Sequence, residues 1–141
     1  MGISKARRVL DRLYCMGQPQ KMDLLTFREA GITRIINLRP VSEWVGWDQA
    51  AMATELQLQY LCIPVATSKD LDREHVNALI QAIEGDDPVL IYCATGNRVG
   101  ALLALAAAWE MGYSPEQAFE LGLAAGMTTL QPAVGMLLDL D

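Results

Sequence analysis

Apolar residues in this chain fall into short blocks of two kinds. Some are unbroken, β-branched runs of strand length, and others recur at three and four positions, as on one face of a helix. The first kind predicts strands over residues 13–16, 32–38, 60–65 and 89–92, with 13–16 at a sheet edge and the other three buried. The second kind predicts a helix over 21–30, with Met22, Leu24, Leu25 and Phe27 on its inner face and Gly31 as its stop. Further helices are expected over 49–58 and from Asp72, where Val76, Leu79, Ile80 and Ile83 share a face and Leu71 and Val76 form a hydrophobic staple. The stretch 101–109 is apolar on all sides, which suits a central buried helix. Ser114-Pro115-Glu116-Gln117 starts another helix with a capping box, running over 116–123 with Gly122 as a close-approach point. A last short helix follows over 131–140, and Met127, Met136, Leu137, Leu138 and Leu140 read as packing residues. Residues 2–12 are mixed and basic, either a short helix or a loose arm.

Strands and helices therefore alternate up to about residue 111 and give way to a helical cap. The expected fold is α/β: a small, mostly parallel sheet of four or five strands flanked by helices, with right-handed crossovers. At 141 residues it reads as a single domain over 1–141, long enough to bury about two thirds of its unfolded surface. Ligands in such sheets bind beyond the carboxyl ends of the strands. Three loops are expected there, over 39–48, 66–70 and 93–98.

Composition narrows the function. The net charge of -6 offers no basic stripe for a nucleic acid, although one positive pocket fits inside an acidic shell. Three cysteines without close pairs suggest neither a disulfide scaffold nor a zinc site, so a reducing, cytoplasmic setting is expected. No stretch reaches the roughly 18 apolar residues of a membrane span, and the N-terminus lacks a signal-peptide core, though a leader already removed would leave no trace. His75, the only histidine, has no ligand partners nearby in sequence and is expected to face solvent. Trp44 and Trp47 either rim a pocket or anchor their loop to the core.

The chemistry concentrates where the strand over 89–92 runs into Cys93-Ala94-Thr95-Gly96-Asn97-Arg98 and then a helix. The first amides of a helix have no internal partners, and the helix dipole adds positive potential at the same point. A cysteine placed there is activated as a nucleophile, and an arginine at the end of the loop offers an oxyanion a bidentate fork. The plain alternative is an inert thiol at a strand end and a capping arginine. The strand, glycine and helix around the pair favour the cradle.

Residues Gly31-Ile32-Thr33-Arg34-Ile35-Ile36-Asn37-Leu38-Arg39-Pro40, Ile63-Pro64-Val65 and the loop from Cys93 to Arg98 resemble the bacterial phosphatase-like domains related to dual-specificity protein phosphatases, which also occur fused to metallo-β-lactamase-like hydrolases. The likeness covers roughly residues 10–135. It implies phosphomonoester hydrolysis through a phosphocysteine, with Cys93 as nucleophile and Arg98 as the phosphate-binding arginine. It also implies that the backbone amides of Ala94, Thr95, Gly96, Asn97 and Arg98 hold the equatorial oxygens, with Gly96 bending the loop. No metal or cofactor is implied, because amides and arginine supply the electrostatics. The substrate would be a phosphorylated small molecule or a phosphoprotein. The expected acid near residue 67 is replaced here by Thr67, which leaves Asp70 as the candidate general acid, with Asp72 reserved for its helix cap. Arg39 either extends the positive pocket or pairs with Glu43 to fix its loop.

The loop has four residues between cysteine and arginine, against five in tyrosine phosphatases, and Val99 stands where a hydroxyl is usual. Two other functions therefore stay open: a rhodanese-like sulfurtransferase, whose loop spacing is closer, and a domain that binds phosphate with little turnover.

Overall fold

The computed structural model of the protein describes residues 5–140. Five strands, β1 (Arg7–Val9), β2 (Leu13–Met16), β3 (Arg34–Asn37), β4 (Gln59–Cys62) and β5 (Val89–Tyr92), form one sheet in the order β1-β2-β5-β3-β4. Only β1 runs antiparallel, and β2, β5, β3 and β4 lie parallel with Leu13, Val89, Arg34 and Gln59 in register. Six helices surround it: α1 (Lys21–Glu29), α2 (Gln49–Glu55), α3 (Arg73–Ala82), α4 (Asn97–Glu110), α5 (Pro115–Ala125) and α6 (Gln131–Leu137).

The strongest sequence signals take their expected places. All four residues of β5, the central strand, are buried. Val99 to Ala107 of α4 are buried without a break, and α4 packs against α3 and α5 on one side of the sheet. Leu24 and Phe27 of α1, with Ala53 of α2, cover the other side against Ile35, Leu90 and Tyr92. Asp72 caps α3 by accepting from the His75 N–H, and Leu71 and Val76 are both buried. Ser114 and Gln117 make the expected capping box on α5.

Several expectations are corrected. Part of the basic segment is β1, a three-residue strand that pairs with β2, while the first four residues lie outside the described ones. β2 is consequently interior, between β1 and β5. The edge on the opposite side is β4, whose residues are only partly covered, so Cys62 is exposed and not a buried strand thiol. The helix over 49–58 stops at Glu55, because Gln57 takes a positive φ of 61° to enter β4. In the last helix Leu138 is buried, but Met136 and Leu137 stand on the outer face and are exposed. His75 is not a solvent-facing residue. Its Nδ1 meets Asp72 Oδ1 at 2.7 Å and its Nε2 meets the Pro64 carbonyl at 3.0 Å, tying α3 to the segment that leaves β4.

Candidate active site

Because β2, β3, β4 and β5 are parallel, their carboxyl ends open on one edge of the sheet. Four loops meet there, one more than expected, since interior β2 contributes the turn at Gly17 and Gln18. The Cys93 N–H donates to the Met16 carbonyl at 3.3 Å, and the Gln18 N–H donates to the Ala94 carbonyl at 3.1 Å. The chain then turns at Gly96, the N-cap of α4, with φ 97° and ψ -11°. A side chain is strained in that left-handed region, so glycine is the natural residue at the bend.

Cys93 is fully buried at the base of the loop, where its Sγ accepts the Gly96 N–H at 3.1 Å. The N–H groups of Ala94, Thr95 and Arg98 have no acceptor among the described residues and are free for an anion. The Asn97 N–H faces Thr95 Oγ1 at 3.4 Å. The Asn97 side chain works elsewhere. Its Oδ1 accepts from the Thr128 N–H at 2.8 Å and the Leu130 N–H at 3.1 Å, and its Nδ2 donates to Thr129 Oγ1 at 2.7 Å. It fastens the loop to the turn between α5 and α6.

Arg98, in the first turn of α4, reaches across to two other loops. Nη1 donates to Glu43 Oε2 at 2.9 Å and to the Val65 carbonyl at 2.8 Å, and Nη2 donates to Glu43 Oε1 at 3.0 Å. Glu43 holds a second arginine, since Arg39 Nε donates to Oε1 at 3.0 Å. Arg39 Nη1 continues to Gln18 Oε1 at 3.0 Å, which closes a ring back to the cysteine loop. The Arg98 hydrogen bonds hold the Glu43 carboxyl below its usual range, against the opposing effect of burial, and Arg39 adds to this. The same Glu43 bonds raise Arg98, burial opposes them, and the nearby Cys93 sulfur reinforces the guanidinium charge. A cavity of about 210 Å³ shares Arg39 and Glu43 with this cluster and is walled by Trp44, Trp47, Gln49 and Tyr60. Trp44 is 70% exposed, so of the two readings of that loop the rim applies to Trp44 and not core anchoring.

Asp70 lies in a single 3-10 turn, Ser68–Asp70. Its Oδ2 accepts from the Ala66 N–H at 2.7 Å and the Thr67 N–H at 3.4 Å. The structure thus brings Cys93, Arg98, Arg39 and Glu43 into one cluster and puts Asp70 on the loop that follows Val65, the carbonyl held by Arg98. Cys15 lies on β2, beside the cysteine loop. Burial first, and the neighbouring Cys93 second, push its thiol up to about 12 despite Arg7 nearby. Gln18 is absent from the set that sequence reasoning assembles. Its signal is the Gly-Gln-Pro turn at a strand end, which loses its meaning only if β2 is taken for an edge. Among the described residues, no cluster of three or more His, Cys, Asp or Glu side chains could hold a metal ion. No helix among them is long and apolar enough to cross a membrane.

Comparisons with known proteins agree with this geometry. A family model described as the Swiss Army Knife protein, DSP-PTPase phosphatase domain, matches residues 9–131. No curated protein matches the chain. Among solved structures, a putative phosphatase from Neisseria meningitidis is similar at 25% identity and a TM-score of 0.74, with 95% of this chain and 96% of that one covered. Tk-PTP in its active form superposes with a TM-score of 0.75 at 17% identity, covering 96% and 97%. Pseudomonas aeruginosa TpbA in complex with phosphotyrosine gives 0.68 at 16% identity, covering 94% and 88%.

Proposed function

The chain belongs to the DSP-PTPase phosphatase domains of the Swiss Army Knife group, and on that premise we propose that Cys93 and Arg98 hydrolyse a phosphomonoester through a phosphocysteine. Membership favours this cysteine-dependent chemistry over sulfur transfer. Arg98 and the N–H groups of Ala94, Thr95, Asn97 and Arg98 bind the phosphoryl oxygens, with Gly96 shaping the bend and its N–H kept for the sulfur. Arg39 adds positive potential from behind Glu43. The Cys93 thiolate attacks phosphorus, an S–P bond forms and the P–O bond to the leaving group breaks. Asp70 gives its proton to the departing oxygen, using the Oδ1 that the loop amides leave unengaged. Water then attacks the phosphocysteine, returns a proton to Asp70, and releases inorganic phosphate and the thiolate. No metal or other cofactor takes part in these steps, because the amides and the guanidinium stabilise the equatorial charge.

The observation that carries this reading is the sulfur seated below free amides and beside a guanidinium already gripped by Glu43. The substrate is a phosphorylated small molecule or a phosphoprotein, not a nucleic acid, and three free cysteines suit a reducing cytoplasm. Rapid acid quench during turnover of a ³²P-labelled aryl phosphate should trap label on Cys93, and Cys93→Ser should abolish it. Reversible phosphate binding with no label at Cys93 would show a binding domain without turnover.

A further inference from the structure

Both ring nitrogens of His75 face oxygens that can only accept. Nδ1 meets Asp72 Oδ1 at 2.7 Å, and Nε2 meets the Pro64 carbonyl at 3.0 Å. A neutral imidazole carries one N–H and one lone pair, so it satisfies only one of these partners. The imidazolium alone donates to both. Burial works against that charge, but hydrogen bonding and charge from Asp72, charge from Asp70 and the Pro64 carbonyl prevail and raise His75. The other groups around the ring leave the charge in place. Asp72 caps α3 and Glu74 lies in its first turn, while Asp70 ends the 3-10 turn before it. The Cys62 thiol, pushed up by burial, shares a cavity of about 260 Å³ with His75 and Glu74. Arg73, two positions before the ring, is turned to Glu110 and over the Trp109 ring. When the ring loses a proton, the N–H facing the Asp72 carboxylate is kept, because a charged acceptor makes the stronger bond. The proton lost is the one on Nε2, whose lone pair then confronts the Pro64 oxygen.

The Pro64 carbonyl is the first of a series of holds on the chain leaving β4. The N–H of the same peptide unit, on Val65, donates to the Leu38 carbonyl at 2.9 Å. The next unit gives its carbonyl, on Val65, to Arg98 at 2.8 Å and its N–H, on Ala66, to Asp70 Oδ2 at 2.7 Å. Tilting the Pro64 peptide therefore moves the unit from which the acid loop hangs. We propose that His75 is a positioning residue for leaving-group protonation: as an imidazolium it clamps the Pro64 carbonyl and fixes the 66–70 loop that carries Asp70, and on losing its Nε2 proton it releases that carbonyl. The inference rests on the reading that Asp70 is the general acid of hydrolysis at Cys93. Alkyl phosphates, which need the acid fully, lose rate as pH rises through the His75 titration, and aryl phosphates with good leaving groups lose much less.

His75 is the only histidine in the chain, so the ¹⁵N resonances of its ring in untagged protein need no assignment. Below the titration both nitrogens should be protonated, and above it Nε2 alone should lose its proton, with a midpoint above the free imidazole value of about 6.5. Proton loss from Nδ1, or a midpoint at or below that value, would overturn the proposal. The kinetic arm is kcat for ethyl phosphate divided by kcat for p-nitrophenyl phosphate, from about pH 6 to about pH 9. The wild-type ratio should fall about fivefold, the worth of one hydrogen bond, in a step centred on the His75 midpoint. Loss of the proton from the acid itself also lowers the ratio, so the variants decide. His75→Gln, a donor that does not titrate, should remove the step at that midpoint. His75→Phe should remove it as well and hold the ratio at its low, high-pH level. A histidine with a merely structural role would change stability and leave the step in place. A step that survives in His75→Gln overturns the proposal, and where His75→Phe does not fold, His75→Gln and the ring spectra decide. Wild-type protein that turns over neither substrate refutes hydrolysis and the role of His75 with it. Turnover of both at a ratio without the step refutes the role of His75 alone.

Discussion

Gly100→Ala sets two opposing effects of known size against each other. Gly100 lies in the interior of α4, where alanine is favoured over glycine by about 1 kcal/mol from helix propensity alone. However, a Cβ at this position would stand 2.4 Å from the Gly122 carbonyl oxygen and 2.5 Å from the Met127 nitrogen, both backbone atoms. Neither can swing aside as a side chain would, so α5 and the turn after it must move away from α4. Overpacking of this kind costs about 1–3 kcal/mol. The displaced turn also strains the bond from the Met127 N–H to the Gly122 carbonyl, now 2.9 Å, for about 1 kcal/mol more. The balance is a loss of about 1–3 kcal/mol, or roughly 4–12 °C in Tm for a chain of this length. Scanning calorimetry and urea unfolding measure it. Gly135→Ala in α6 is the control, since its Cβ would meet nothing nearer than the Leu140 carbonyl oxygen at 3.6 Å; it should be neutral or slightly stabilising. The turn that moves touches the active loop, because a Cβ on Gly126 would lie 3.1 Å from the Gly96 carbonyl oxygen. Gly100→Ala should therefore weaken phosphate binding as well as stability. A variant that melts at or above the wild type would refute the close approach of α4 and α5.

Three further outcomes follow from the site. Cys93→Ser should lose all turnover of p-nitrophenyl phosphate yet keep phosphate affinity within a few-fold, whereas Arg98→Ala should lose both and Arg98→Lys should recover only part, by kinetics and calorimetric titration. Asn97→Ala removes the acceptor of the Thr128 and Leu130 N–H groups and should cost about 1–3 kcal/mol in urea unfolding; an unchanged midpoint would mean those bonds are replaced by water. Burial works against the His75 imidazolium, but hydrogen bonding and charge from Asp72 outweigh it and raise His75, so its share of stability is complete below the free imidazole value of about 6.5 and is lost as pH rises through the raised one. The stability gap between wild type and His75→Ala should thus shrink from pH 6 to pH 9, as followed by urea midpoints, and a constant gap would contradict the ion pair.

Local signals in the sequence are enough for the core of the fold. The apolar run of β5, the glycine bend and the alanine-rich α4 are contiguous, and each predicts its own conformation without reference to the rest. β1 has no such signal. Arg7 and Arg8 are exposed, and the strand exists only because it pairs with β2; charged residues on an edge strand also discourage further pairing. Strand order is equally non-local, which explains why apolar pattern alone puts β2 at an edge and β4 inside, and why it misjudges Cys62. His75 at the third position of α3 looks solvent-facing from helical period alone, and only the Pro64 carbonyl, eleven residues back, shows otherwise. In the site, Cys93 and Arg98 are legible because they lie on one short loop between a strand and a helix. The Glu43 grip on Arg98 spans 55 positions, and no period or motif connects them.

That grip also bears on the acid. Val65 gives its carbonyl to Arg98, and Pro64 gives its own to His75, so the chain entering the 66–70 loop is held from both sides. Asp70 then folds the loop back on itself through the Ala66 and Thr67 N–H groups. Arg98 and the candidate acid Asp70 are therefore joined through a single peptide unit, the Val65 carbonyl and the Ala66 N–H. Changing Arg98 should disturb leaving-group protonation as well as binding, and the two effects separate by substrate. An aryl phosphate with a good leaving group needs little help from an acid, whereas an alkyl phosphate needs it fully. Arg98→Lys should consequently lose more kcat on an alkyl phosphate than on p-nitrophenyl phosphate. Equal losses on the two substrates would mean that the Val65 link does not transmit, and that Arg98 acts on the phosphoryl group alone.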